Sequence, residues 1–142
     1  MMQLAHGGYS CGQIILALGL ETAGRDNPGL IRAMAGLAYG CGTGAGTCGA
    51  LTAGSVLIGL HAGNGPAGDA GSDRLPLMLE SLTTWFSERV GEANGGIDCR
   101  AIVGEAGPAA SRTRCGAIVA ETFAEVMEIL LANGFDPTTP PD

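Results

Sequence analysis

The chain has 142 residues, which fits one domain able to bury roughly two-thirds of its unfolded surface without a disulfide or metal staple. Hydrophobic residues make up 46% of it, with one Trp, two Tyr and three Phe, so the core must be built from Leu, Ile, Val, Met and Ala. The formal charge of −7, with seven arginines and no lysine, leaves no basic face for nucleic acid and no amine for Schiff-base chemistry or a lysine-bearing phosphate loop.

Taken in chain order, residues 1–8 have neither a basic start nor an apolar run of the kind an export signal needs, so the expected location is the cytoplasm. Ser10, followed three residues later by Gln13, is a capping-box pattern and predicts a first helix over about residues 11–21. Asn27-Pro28 predicts the start of a second, with Leu30, Met34 and Leu37 on one stripe and Gly40 as its stop. A third is expected over residues 48–62, capped by Thr47, where Ala50, Ala53, Gly54 and Gly59 would let neighbouring helices come close. It is the most apolar stretch and carries no charge, but it falls short of the ~20 residues a bilayer requires, so no membrane insertion is expected.

Residues 63–71 read as a glycine-rich surface loop. A fourth helix follows from Ser72 or Asp73, with Leu75, Leu79, Leu82, Phe86 and Val90 at the helical period. Gly95-Gly96 breaks the chain, and Asp98 caps a short helix over about residues 99–104. The last helix, over about residues 114–133, turns Val119, Phe123, Val126 and Leu130 inward, and Gly134 and Pro137 end it. No period-2 alternation appears between these segments, so the expected fold is all-α: a compact bundle of five to six helices in a single domain over residues 1–137, with a disordered tail at 138–142.

Five cysteines in a reducing compartment point to catalytic, redox-sensing or metal-binding thiols rather than permanent bridges, and the odd count leaves one unpaired in the monomer. Cys11, Cys48 and Cys99 each follow a capping residue, and Cys115 follows Thr113-Arg114, so four of the five fall in a first helical turn. Unpaired amides and the macrodipole there favour a thiolate, and Arg100, Arg112 and Arg114 would add to that if they lie near the sulfurs. The rival reading is that each cysteine is a small apolar residue filling a tight place. Glycine follows Cys11, Cys41, Cys48 and Cys115, which suggests that something approaches the backbone beside the sulfur. Gly46, Gly49 and Gly116 are the backbone positions expected to bind a group there.

Cys41 and Cys48 have six residues between them, so no C-x-x-C site exists, and neither His6 nor His61 stands at a ligand spacing from a cysteine. Both histidines are read as structural or surface residues. Gly44, Gly46 and Gly49 form a G-x-G-x-x-G with Asp69 further on, but the strands that a dinucleotide site requires are missing. The same loop could instead leave its amides free as an anion-binding nest beside Cys48.

Gly8-Tyr9-Ser10-Cys11, Gly46-Thr47-Cys48-Gly49-Ala50-Leu51-Thr52 before Leu57-Ile58-Gly59-Leu60, Cys99, and Arg114-Cys115-Gly116 together resemble the redox-active protein family named for its C-GCAxxG-C-C cysteine pattern. The closing segment from Ile129 to Pro137 is similar to a subgroup of that family. The resemblance covers nearly the whole chain and implies that Cys11, Cys48, Cys99 and Cys115 are the signature cysteines, with Cys41 outside the pattern. It departs at Ala53-Gly54, where glycine is expected directly after Thr52. It implies redox activity and a redox partner protein, since related domains are joined to multihaem cytochromes, and it names no substrate.

Three functions follow as expectations. In the first, Cys11, Cys48, Cys99 and Cys115 are redox-active thiols of a thiol-disulfide oxidoreductase or electron-transfer protein. In the second, the same four thiolates, with Cys41 as an auxiliary, hold an iron–sulfur cluster or another thiophilic metal. In the third, the chain is an accessory subunit of a redox enzyme. The alanine- and glycine-rich helices also suit a homodimer.

Overall fold

The computed structural model describes residues 7–105, 107 and 112–141, with Arg112 described by its backbone alone. Its elements are helical, and among the described residues the one β-type pairing is an isolated antiparallel bridge between Thr47 and Asp98. Six principal helices build the body. No helix among the described residues is long and apolar enough to cross a membrane.

Helix α1 spans Cys11–Thr22 and carries the predicted capping box: the Ser10 side chain accepts from the Gln13 amide, and the Ser10 amide donates to Gln13 Oε1 at 3.0 Å. Helix α2, Pro28–Met34, is capped by Asn27, whose side chain accepts from the Leu30 amide at 3.1 Å. It ends six residues before the predicted stop at Gly40. A 3₁₀ turn, Ala35–Leu37, follows it, Ala38 is extended at ψ 141°, and Tyr39 and Gly40 are left-handed, so no helical ladder continues.

Helix α3, Gly49–Ala62, runs through the centre and packs on α1, on α4 (Leu75–Phe86) and on α6 (Arg112–Ala132). Cys48 itself is its N-cap, one residue past the predicted Thr47 cap. Its lack of charge is explained by burial on several sides: Ala50, Leu51, Ala53, Leu57, Ile58 and Ala62 are all in the core. Of its small residues, Gly54 does admit neighbours, because a Cβ there would lie 3.0 Å from Leu82 and 3.1 Å from Val126, whereas Gly59 faces open space.

Helix α4 buries Met78, Leu82 and Phe86, with Leu75 and Leu79 at the edge of the core. A π-helical turn, Ser87–Gly91, continues it and keeps Val90 on the buried side before Gly95 closes the segment at φ 80°. Helix α5, Cys99–Val103, starts under an Asp98 cap that accepts from the Ala101 amide at 3.0 Å. Helix α6 buries Ile118, Val119, Thr122, Val126, Ile129 and Leu130, with Phe123 partly covered. At its end Gly134 is left-handed and the Phe135 amide returns to the Leu130 carbonyl at 2.9 Å. Beyond it, the Arg25 guanidinium donates to the carbonyls of Pro140 and Pro141, and Pro140 is buried.

Candidate functional site

The thiols are gathered by two backbone contacts. The first lies between the N-termini of α1 and α3. A Cβ on Gly12 would meet the Gly49 carbonyl oxygen at 3.1 Å, and one on Gly49 would meet the Gly12 nitrogen at 3.3 Å. The glycines after Cys11 and Cys48 are thus required by each other's helix, and their contact draws those two cysteines together.

The second contact pairs the glycine-rich loop with the start of α5. The Cys48 amide donates to the Ile97 carbonyl at 2.8 Å, the Cys99 amide to Gly46 at 3.0 Å, and the Arg100 amide to Gly44 at 2.8 Å. This places Cys48 beside Cys99. Arg114 fixes the start of α6 on the same side by donating to the Ile102 carbonyl, which brings in Cys115.

Four of the loop's amides are not left free as an anion nest would need. Gly44 donates to the Tyr39 carbonyl, Ala45 to the Thr43 hydroxyl, Gly46 to the Gly40 carbonyl and Cys48 to Ile97. Gly46 is glycine because a Cβ there would lie 2.8 Å from the Gly40 carbonyl group. Gly116, by contrast, faces open space inside α6 and touches neither thiol partner nor backbone.

All five cysteines are free. Cys48 is buried, Cys11, Cys99 and Cys115 are half-buried, and Cys41 is exposed. The four signature thiols lie close enough to feel one another's charge, and they do not behave alike. Cys11 donates its thiol hydrogen to Cys115, which holds Cys115 down to about 7, helped by the Arg114 charge and opposed by burial. The same bond, together with burial and the other three thiols, pushes Cys11 far up. Burial raises Cys48 to about 11 although the Ala50 and Leu51 amides pull it the other way. Cys99 is raised by burial, by Cys115 and by the Asp98 carboxylate.

The expectation of four activated thiolates is thereby reduced to one. A helix start does not suffice, because the five-residue α5 has little dipole and its own cap carboxylate faces Cys99, while Cys48 loses more by leaving water than two amides return. Arg100 gives Cys99 no help, since its guanidinium donates to the Thr43 carbonyl at 2.9 Å. Arg114 does act as expected on Cys115. The Arg112 side chain and His6 lie outside the described residues. His61 is buried on α3, and its pKa is lowered by burial and Arg25, so it stands apart from the thiols electrostatically.

Among the described residues, no three His, Cys, Asp or Glu side chains converge in a way that could hold a metal ion. A depression of about 360 Å³ lined by Tyr9, Gln13, Asp26, Pro28, Ile31 and Arg32 includes none of the cysteines. What sequence reasoning missed is the pairing of Cys11 with Cys115. The two are 104 positions apart, and no local pattern links them.

The family described as "Putative redox-active protein (C_GCAxxG_C_C)" matches residues 9–129, a span that contains all five cysteines. No curated protein matches the chain. No solved structure matches it either.

Proposed function

We propose that this chain, which belongs to the C_GCAxxG_C_C family of redox-active proteins, passes two electrons from its Cys11–Cys115 thiol pair to a disulfide on a partner protein. The observation that carries this reading is that α1 and α6 pack together and their Cys11 and Cys115 thiols interact directly, which lowers Cys115 and raises Cys11, with the Arg114 charge adding to the lowering. It keeps one sulfur ionised near neutral pH and holds a second in wait. An attacking thiol works best when its pKa lies near ambient pH.

In the first step the Cys115 thiolate attacks one sulfur of the partner disulfide. A Cys115–partner bond forms, the partner's S–S bond breaks, and the released partner thiolate takes a proton from solvent. Cys115 is then uncharged, so the largest cause that held the Cys11 proton in place disappears. Cys11 gives up that proton and attacks the Cys115 sulfur. A Cys11–Cys115 disulfide forms, and the partner leaves with its second thiolate, which is protonated. The partner is reduced by two electrons and the Cys11–Cys115 pair is oxidised by two.

Replacing Cys11 by Ser removes the second step alone. A Cys11→Ser protein mixed with a disulfide-bearing protein should accumulate a covalent complex through Cys115. If no complex forms, and Cys115 in the parent protein reacts no faster than an ordinary thiol, this reading fails and the cysteines revert to packing or sensing in an accessory subunit.

A further inference from the structure

Cys41 is the one thiol outside the four-cysteine set, and it is the exposed one. Its surroundings are not those of a stray surface residue. Tyr39, Gly40 and Cys41 have φ of 53°, 57° and 59°, a left-handed turn whose two non-glycine members are disfavoured there. The turn is pressed against Gly46: the Gly46 amide donates to the Gly40 carbonyl, and a Cβ on Gly46 would lie 3.2 Å from Cys41 Sγ. On its other side Gly46 accepts from the Cys99 amide, and a Cβ on Gly40 would lie 3.1 Å from the Cys99 Cβ. Cys41 and Cys99 are thus neighbours across one residue that has no side chain.

We infer that Cys41 and Cys99 form a second exchanging pair, through which the disulfide made at Cys11 and Cys115 is carried to the surface. This rests on the function proposed above and extends it to a thiol outside the family's pattern. The Cys99 thiolate attacks the Cys115 sulfur of the Cys11–Cys115 disulfide, forming Cys99–Cys115 and releasing Cys11, which takes up a proton. The Cys41 thiolate then attacks the Cys99 sulfur, forming Cys41–Cys99 and releasing Cys115 as its stabilised thiolate. One S–S bond forms and one breaks in each step, so no external oxidant is consumed. The inner pair is left reduced, and the disulfide now sits at an exposed position where a partner dithiol can reduce it. The second step releases Cys115, the thiol held lowest of the four, and a thiol of lower pKa leaves faster.

The test uses the full chain oxidised with one equivalent of oxidised glutathione, quenched in acid, alkylated, and cleaved after arginine. The expected product joins the fragment of residues 33–74 to that of residues 90–100, and peptide fragmentation should place the bridge at Cys41 rather than Cys48. In turnover of a disulfide substrate such as insulin with a dithiol reductant, Cys41→Ser should slow the steady state by about tenfold and accumulate Cys11–Cys115 or Cys99–Cys115. A bridge at Cys48 or at neither residue, with an undiminished Cys41→Ser turnover, overturns the proposal. The two readings separate cleanly: Cys11–Cys115 without Cys41–Cys99 in the parent protein sinks the surface relay alone, and an oxidised Cys41→Ser protein that holds neither Cys11–Cys115 nor Cys99–Cys115 sinks the inner pair as its source.

Discussion

Gly12 and Gly49 meet backbone to backbone where α1 and α3 begin, with the Gly49 carbonyl oxygen 3.1 Å from where a Cβ on Gly12 would stand. Met34 closes the other side at 2.9 Å. A side-chain end can yield but a helix carbonyl cannot, so Gly12→Ala should destabilise by about 1–3 kcal/mol, as overpacking of a tight contact does. Splaying the two helices also moves Cys11 from Cys115. Urea unfolding should show an earlier midpoint, and alkylation of Cys115 near neutral pH should slow. An unchanged midpoint would remove the contact as the reason for both glycines.

Gly116 gives the opposite expectation. It lies inside α6 with nothing near the place of a Cβ. Gly116→Ala should stabilise by up to about 1 kcal/mol through helix propensity alone. The rate of Cys115 alkylation should stay as it was. A loss of reactivity in a well-folded Gly116→Ala protein would restore a role for the backbone at that position.

The Cys115 thiol is held near 7 chiefly by the Cys11 hydrogen bond and secondly by Arg114. Cys11→Ala should therefore move the midpoint of its iodoacetamide rate–pH profile upward, toward the ~8.5 of a free thiol. Arg114→Gln should move it the same way by less. Equal profiles in all three proteins would mean that neither neighbour holds the charge.

Cys48 supplies a stability signature at the alkaline end. Its folded pKa stands raised from 9.0 to about 11, chiefly by burial, so the folded state keeps a proton that the unfolded chain gives up first. A raised group contributes its stability in full below the unfolded value and loses it as pH climbs through the folded one. Stability should decline between about pH 9 and pH 11, by roughly 2–3 kcal/mol for a shift of that size. Cys48→Ala should remove that share of the decline and leave the share due to Cys11 and Cys99, whose thiols are also raised.

Asp98 has two effects that can be separated. Its side chain caps α5 and its charge helps raise Cys99. Asp98→Asn keeps an acceptor for the Ala101 amide and removes the charge, so the fold should hold while Cys99 alkylates faster. Asp98→Ala should release Cys99 in the same way but cost about 1 kcal/mol in stability, the usual effect of losing a cap.

Much of the fold was legible because its signals are local. Ser10 with Gln13, Asn27 before Pro28, and Asp98 each cap the helix they were expected to start, and Gly134 closes α6. The misreadings arose where contacts over longer range prevail. The stripe of Leu30, Met34 and Leu37 pointed to one helix, yet the chain leaves it after Met34 to form the turn that receives Gly46. The G-x-G-x-x-G run suggested free amides, yet the Gly44 and Gly46 amides are spent on the neighbouring turn and the Cys48 amide on Ile97.

The sequence by itself determined where the helices begin and that four cysteines stand at or near those beginnings, because capping and periodicity act over three or four residues. It also determined family membership, since the spacing of those cysteines is a linear property. Only the tertiary structure decided that the four sulfurs are unlike one another. A thiol's charge depends on who faces it and how much water it has lost, and both are set by residues far away in the chain: Cys115 for Cys11, Ile97 and Gly12 for the segment around Cys48, Gly46 for Cys99.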